Sequence, residues 1–196
     1  MTDSWQDLFN GRDLEGWSTT GSPEGWRVDE EGYIQCTVQG GAYLYTEAEF
    51  EDFELALEYK SAPKCNSGIF FRWSDLEDPV HTGLEIQILD THGQDQNRHS
   101  CGALYDMVAP PADAARPAGE WNDVLLACRG PAITLDFNGQ RTVDADIDQW
   151  DTAGKNPDGS DNKFKYAWKD MPRSGHIGLQ DHGGAIWFRN IRIKSA

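Results

Sequence analysis

Apolar and polar residues alternate along most of this chain. In Phe53-Glu54-Leu55-Ala56-Leu57-Glu58-Tyr59-Lys60, Phe53, Leu55, Leu57 and Tyr59 share one face, and Glu54, Glu58 and Lys60 share the other. That is the two-residue period of a half-buried strand. Residues 33–38, 67–73, 83–89, 122–128, 133–137, 176–180 and 186–193 read the same way. Asn138-Gly139 lies between 133–137 and the short run 141–143, and predicts a tight type I′ hairpin. No stretch sustains a helical period, and 76–79 is broken by Pro79. Many short strands separated by Gly, Asn and Asp turns predict an all-β fold. We expect a two-sheet antiparallel jelly-roll sandwich, formed as a single domain over 1–196 without repeat or linker.

Two stretches fall outside the alternation. Residues 91–120 contain His92, His99, Pro110, Pro111 and Pro117, and residues 145–174 contain KNPDGSDNKFK. Loops this long in a small domain are functional or disordered. The first follows GLEIQILD (83–90) directly, so it is expected to overhang the face to which Glu85 points.

Polar groups inside three strands change the picture from scaffold to candidate site. They lie in CNSGIFFRW (65–73), GLEIQILD and GHIGLQDHGGAIWFRN (175–190). Strand parity places Phe70 with Arg72, Glu85 with Gln87, and His176 with Gln180. If the three strands share a sheet, Arg72, Glu85, Gln87 and Gln180 converge on its open face. Asp90 falls on the opposite parity unless a β-bulge turns it. A guanidinium beside a carboxylate orients it, and amides supply paired donors and acceptors for hydroxyls. The ordinary reading is a solvated strand face with a weak surface ion pair. By the same default, Asp181-His182-Gly-Gly is a turn, Asn66 caps a loop, Arg189 and Asn190 brace the last strand, and Trp121 and Trp187 belong to the core.

Composition narrows the partners. A net charge of −16 disfavours nucleic acid and anionic membranes. The first residues show neither a basic region nor an apolar run, so no signal peptide is expected, and no run reaches membrane-span length. This leaves a cytoplasmic location, or export with a signal already removed. The four cysteines have no metal-binding spacing; Cys36 and Cys128 read as core thiols, and a Cys65–Cys101 bridge is left open. No cofactor or metal is required. A divalent ion such as Ca²⁺ would be compatible with Asp90, His92 or Asp181, although no spacing demands one.

Six segments occur in order: DLFNGRDLEGW (7–17), NSGIFFR (66–72), GLEIQILD, GALYD (102–106), GEWN (119–122) and GHIGLQDHGGAIWFRNIRIK (175–194). Together they resemble the 3-keto-disaccharide hydrolase family, whose fold is similar to concanavalin A-type lectins and laminarinase-type glucanases. The resemblance implies an enzyme cleaving glycosides oxidised to a ketone at C3. Proton abstraction at C2, elimination at C1 and hydration would follow, which needs a base, an electrophile near the C3 oxygen and an acid. On this reading Glu85 is the acid/base and Arg72 contacts and orients it or stabilises the enolate. Asn66, Gln87 and Gln180 meet hydroxyls. His182, Asp90 and Tyr105 serve proton transfer or the rim, with Asp181 as a further substrate contact. Laminarinase-type enzymes carry Glu-x-Asp-x-x-Glu, where this chain has Glu85-x-Gln87-x-x-Asp90. That argues against direct displacement at an unmodified sugar. The alternatives are a non-catalytic carbohydrate-binding module and a conventional glycosidase, the latter with Asp90 or Asp181 as second carboxylate. The expected partner is a carbohydrate; oligomeric state is left open.

Overall fold

The structure, a computed structural model, describes residues 4–195. Among the described residues, thirteen strands form two antiparallel sheets. The larger contains β1 (Gln6–Asp7), β3 (Trp26–Val28), β4 (Ile34–Cys36), β6 (Phe53–Ser61), β9 (Trp121–Arg129), β10 (Ala132–Phe137), β11 (Gln140–Asp146) and β13 (Ile186–Ser195). Its order is β11-β10-β9-β6-β13-β4-β3, with β1 on β13. The smaller is ordered β2-β5-β12-β7-β8, from β2 (Trp17–Thr19), β5 (Tyr43–Thr46), β7 (Asn66–Trp73), β8 (Leu84–Leu89) and β12 (His176–Gln180).

The core lies between the sheets and follows the sequence alternation. Phe53, Leu55, Leu57 and Tyr59 of β6 are buried against Ile69 and Phe71 of β7 and Ile86 and Ile88 of β8, within one apolar cluster. Each such side chain contributes about 1.5–3 kcal/mol by leaving water. Asn138 and Gly139 both adopt positive φ, 49° and 78°, as the hairpin between β10 and β11 requires. The expected break at Pro79 is instead the start of a one-turn helix, α1 (Pro79–Thr82). Proline there lacks only an N–H that the first turn would leave unbonded.

Trp121 and Trp187 are not in the core. They lie half-buried on the outer face of the larger sheet, where Lys60 Nζ sits 5.1 and 5.0 Å from their rings. They flank Lys60 because β6 is sandwiched between β9 and β13, with Lys60 opposite both tryptophans. Arg189 and Asn190 both bond Glu58, as expected of braces for the last strand.

The 91–120 segment closes the smaller sheet. Gly102 and Tyr105 N–H groups donate to the carbonyls of Gln87 and Glu85, and Gln87 N–H donates to Ala103. The free edge of β8 is therefore covered, as exposed edges generally are, and Tyr105 is carried to the outer face beside Glu85.

Candidate functional site

Register fixes what meets on the outer face of the smaller sheet. Phe70 pairs with Glu85 and with Gly178, and Gly178 pairs with Tyr45. One step along, Gly68 pairs with Gln87 and Tyr43 with Gln180. Two glycines thus lie between large side chains. A Cβ at Gly68 would come within 2.3 Å of Glu85 Oε1, and one at Gly178 within 3.0 Å of the Trp73 ring. Their missing side chains make room for the Glu85 carboxylate and for a packed aromatic floor of Tyr43, Phe70 and Trp73.

The result is a cavity of about 300 Å³. Glu85, Gln87 and Gln180 stand in its wall with Asn66, Asp181 and His182; Tyr43 of β5, Ala42 just before it and Val80 of α1 add to the wall, and Tyr105 and Lys163 come from the two long loops. Glu85, Gln87, Gln180, Asn66, Asp181, His182 and Tyr105 are residues singled out from sequence; Tyr43 and Lys163 were not.

Burial dominates the electrostatics. It pushes the Glu85 carboxyl up to about 7, opposed only by the nearby Lys163 charge. No hydrogen bond among the described residues offsets that burial. Desolvation also raises Tyr43 and Tyr105, each further raised by the Glu85 charge, while a Gln180 hydrogen bond works against the rise at Tyr43.

The amides are organised into a relay. Gln87 Nε2 donates to Asn66 Oδ1 at 2.8 Å, which fixes the orientation of the Asn66 amide. Asn66 Nδ2 therefore donates to His182 Nδ1 at 3.0 Å, and a neutral His182 ring carries its proton on Nε2. Gln180 Nε2 donates to the Tyr43 hydroxyl at 3.2 Å, leaving Gln180 Oε1 buried without a partner among the described residues. Asp181 accepts from the Gly41 N–H at 2.9 Å.

Arg72 is elsewhere. His176 pairs with Trp73 but Gly178 with Phe70, so β7 holds one residue more than β12 across this interval. Arg72 has the positive φ of a bulge, 50°. Parity inverts there: Trp73 joins Phe70 on the outer face and Arg72 turns away. Its side chain, 1 % exposed, donates to Glu51 O at 3.0 Å, Gly130 O at 2.8 Å and Asp52 Oδ1 at 3.0 Å. It ties the turn before β6 to the β9–β10 turn, and makes no contact with Glu85. Asp90 also lies outside the cavity wall, accepting from Lys64 N–H at 2.8 Å. His92 bonds Ala115 O. Asp90, His92 and Asp181 thus do not converge, and no group of three or more His, Cys, Asp or Glu among the described residues is arranged to hold a metal ion.

The profile of the 3-keto-alpha-glucoside-1,2-lyase-like domain matches residues 4–194. The chain belongs to this family. It is 29% identical to a 3-keto-disaccharide hydrolase of Bacteroides thetaiotaomicron, over 98% of this chain and 78% of that one. A crystal structure from Parabacteroides distasonis, described as a candidate glycosyl hydrolase, superposes with a TM-score of 0.90. It shares 33% identity, over 99% of this chain and 100% of the other. A Bacillus licheniformis β-glucanase shares the fold at a TM-score of 0.55 and 11% identity, over 98% and 97% of the two chains. The sandwich is accordingly of the lectin and glucanase type, and the family member is a glycosidase-type protein acting on carbohydrate.

Proposed function

We propose that this protein cleaves glycosides whose sugar carries a ketone at C3, with Glu85 as the proton-transfer group. The observation that supports it most is the buried Glu85 carboxyl, which burial pushes up to about 7, in a cavity of about 300 Å³ that it shares with the amides of Asn66, Gln87 and Gln180, the hydroxyls of Tyr43 and Tyr105, and the side chains of Lys163, Asp181 and His182. A base is most useful when its pKa lies near the working pH. The name of the Bacteroides relative favours the keto sugar as substrate.

The steps balance as follows. The Glu85 carboxylate takes the C2 proton, and the C–H electron pair becomes the C2–C3 double bond of an enolate with its charge on the C3 oxygen. When that charge returns to re-form the ketone, the C2–C3 π pair becomes a C1–C2 double bond, the C1–O bond breaks with its electrons on the aglycone oxygen, and that oxygen takes a proton from the protonated Glu85 or from water. Addition of water across C1–C2 releases the 3-keto sugar. The unpaired Gln180 Oε1 and the amide relay through Asn66 would meet the sugar hydroxyls. An unpaired buried carbonyl costs about 1–3 kcal/mol, which a hydroxyl donor would relieve.

The deciding experiment offers a 3-keto-glucoside and its unoxidised parent, each with a chromophoric aglycone. We expect release from the keto form alone, and at least about 10²-fold loss of kcat in Glu85→Gln with an unchanged fold. Cleavage of the plain glucoside would mark a conventional glycosidase, and binding without turnover a carbohydrate-binding module.

A further inference from the structure

The reaction proposed above puts negative charge on the C3 oxygen, and Arg72, the cation expected there, is committed to two turns at another place in the fold. Lys163 stands in the cavity wall with Glu85 instead. Its Nζ lies 3.9 Å from the centre of the Tyr105 ring. Ring and ammonium attract through the quadrupole without neutralising the charge. Glu85 and Lys163 feel each other electrostatically. Among the described residues Lys163 is in no ion pair, so its charge stays available to an oxygen placed between them.

The segment that carries Lys163 is fastened in place. Lys163 N–H donates to Asp106 Oδ2 at 2.8 Å, and the other oxygen of that carboxylate meets His99 Nε2 at 3.1 Å. Arg98 spans the same seam: Nε donates to Met107 O at 3.1 Å, Nη1 to Ser160 Oγ at 2.8 Å, and Nη2 to Asp158. Every one of these bonds either joins the loop holding Tyr105 to the loop holding Lys163 or stiffens the first of them. A flexible lysine is thereby held on one side of the cavity, opposite the sheet-borne Glu85.

We propose that Lys163 is a catalytic residue of this reaction, its ammonium holding the C3 oxygen as Glu85 removes the C2 proton, and that Arg98 and Asp106 are positioning residues for the loop that delivers it. The role rests on the keto-glycoside reading. Nothing covalent is asked of the lysine: it donates a charged hydrogen bond to an oxygen that becomes anionic, as oxyanion donors do. Burial lowers the Lys163 pKa, and the charges of Glu85 and Asp106 oppose that fall.

The test is steady-state kinetics of Lys163→Met and Lys163→Arg on the 3-keto-glucoside, with exchange of the C2 proton for deuterium followed by NMR. We expect Lys163→Met to lower kcat and C2 exchange together by about 10²-fold or more, with KM within a few-fold. Lys163→Arg should recover at least about tenfold of that loss, since the charge returns. Arg98→Met should lower kcat in the native background and add little in Lys163→Met, because the two act through one group. The role is overturned if Lys163→Met keeps kcat within about threefold, if Arg and Met variants are equally impaired, or if Arg98→Met costs the same in both backgrounds. A wild-type protein inert toward the keto sugar would sink the function reading and this role with it; an active wild type with an indifferent Lys163→Met sinks the role alone.

Discussion

At the scale of single residues, Glu85 sets the pH behaviour. Its carboxyl rises from 4.5 to about 7 on folding because burial disfavours the anion. As the working base it must be ionised, so kcat/KM on the keto substrate should rise with pH to a midpoint near 7. A midpoint near 4.5 would assign proton abstraction to another group. Stability runs the other way. Between about 4.5 and 7 the folded state holds a proton that the unfolded state has lost, so Glu85 makes unfolding easier as pH rises through that window. Glu85→Gln removes the charge without changing the shape. The variant should therefore melt above the wild type at pH 8, with the gap closing toward pH 5, as thermal unfolding at the two pH values would show. Gly68 belongs to the same scale, since no other residue leaves room for that carboxylate.

At the scale of elements, the bulge in β7 separates binding from bracing. Up to Phe70 the strand alternates and presents Asn66 and Gly68 to the site; beyond it, Arg72 serves the far end of the sandwich. We expect Arg72→Met to destabilise the protein by about 2–4 kcal/mol, since it strips a buried donor from two backbone carbonyls and leaves Asp52 without its cation. Urea unfolding measures that loss. Turnover of the remaining folded protein should stay within about threefold of wild type at low temperature. A large fall in kcat with stability intact would return Arg72 to the chemistry. The strands were legible in sequence because each needs only a two-residue period and one buried face. The bulge was not legible: a single extra residue inverts every later position, and NSGIFFRW reads equally well with or without it. The short strands β2, β3 and β5 were passed over for a related reason, being only three or four residues long. Tyr43 was missed with β5.

At the scale of the whole molecule, the two sheets keep all four cysteines free and buried. Burial pushes the Cys36, Cys65 and Cys128 thiols up to about 12 and raises Cys101 as well, and Cys101 meets the Tyr59 hydroxyl at 3.0 Å. Thiolate is the reactive form. Native protein at pH 8 should therefore leave a disulfide-exchange dye almost uncoloured, whereas denatured protein should react at all four thiols. Only two reactive thiols after denaturation would reveal a Cys65–Cys101 bridge.

The alternation of apolar residues determined the all-β sandwich and its inward faces. The same two-residue period put Glu85 and Gln87 on one face, and the six ordered segments carried the family. These are local properties, readable along one strand at a time. The cation of the site was decided only by the tertiary structure. Lys163 comes to the wall of the cavity that holds Glu85 through bonds such as Lys163–Asp106 and Arg98–Ser160, which join residues 57 and 62 positions apart. Contacts of that range leave no period in the chain. They form only once both sheets are packed and two irregular loops find each other across the cavity.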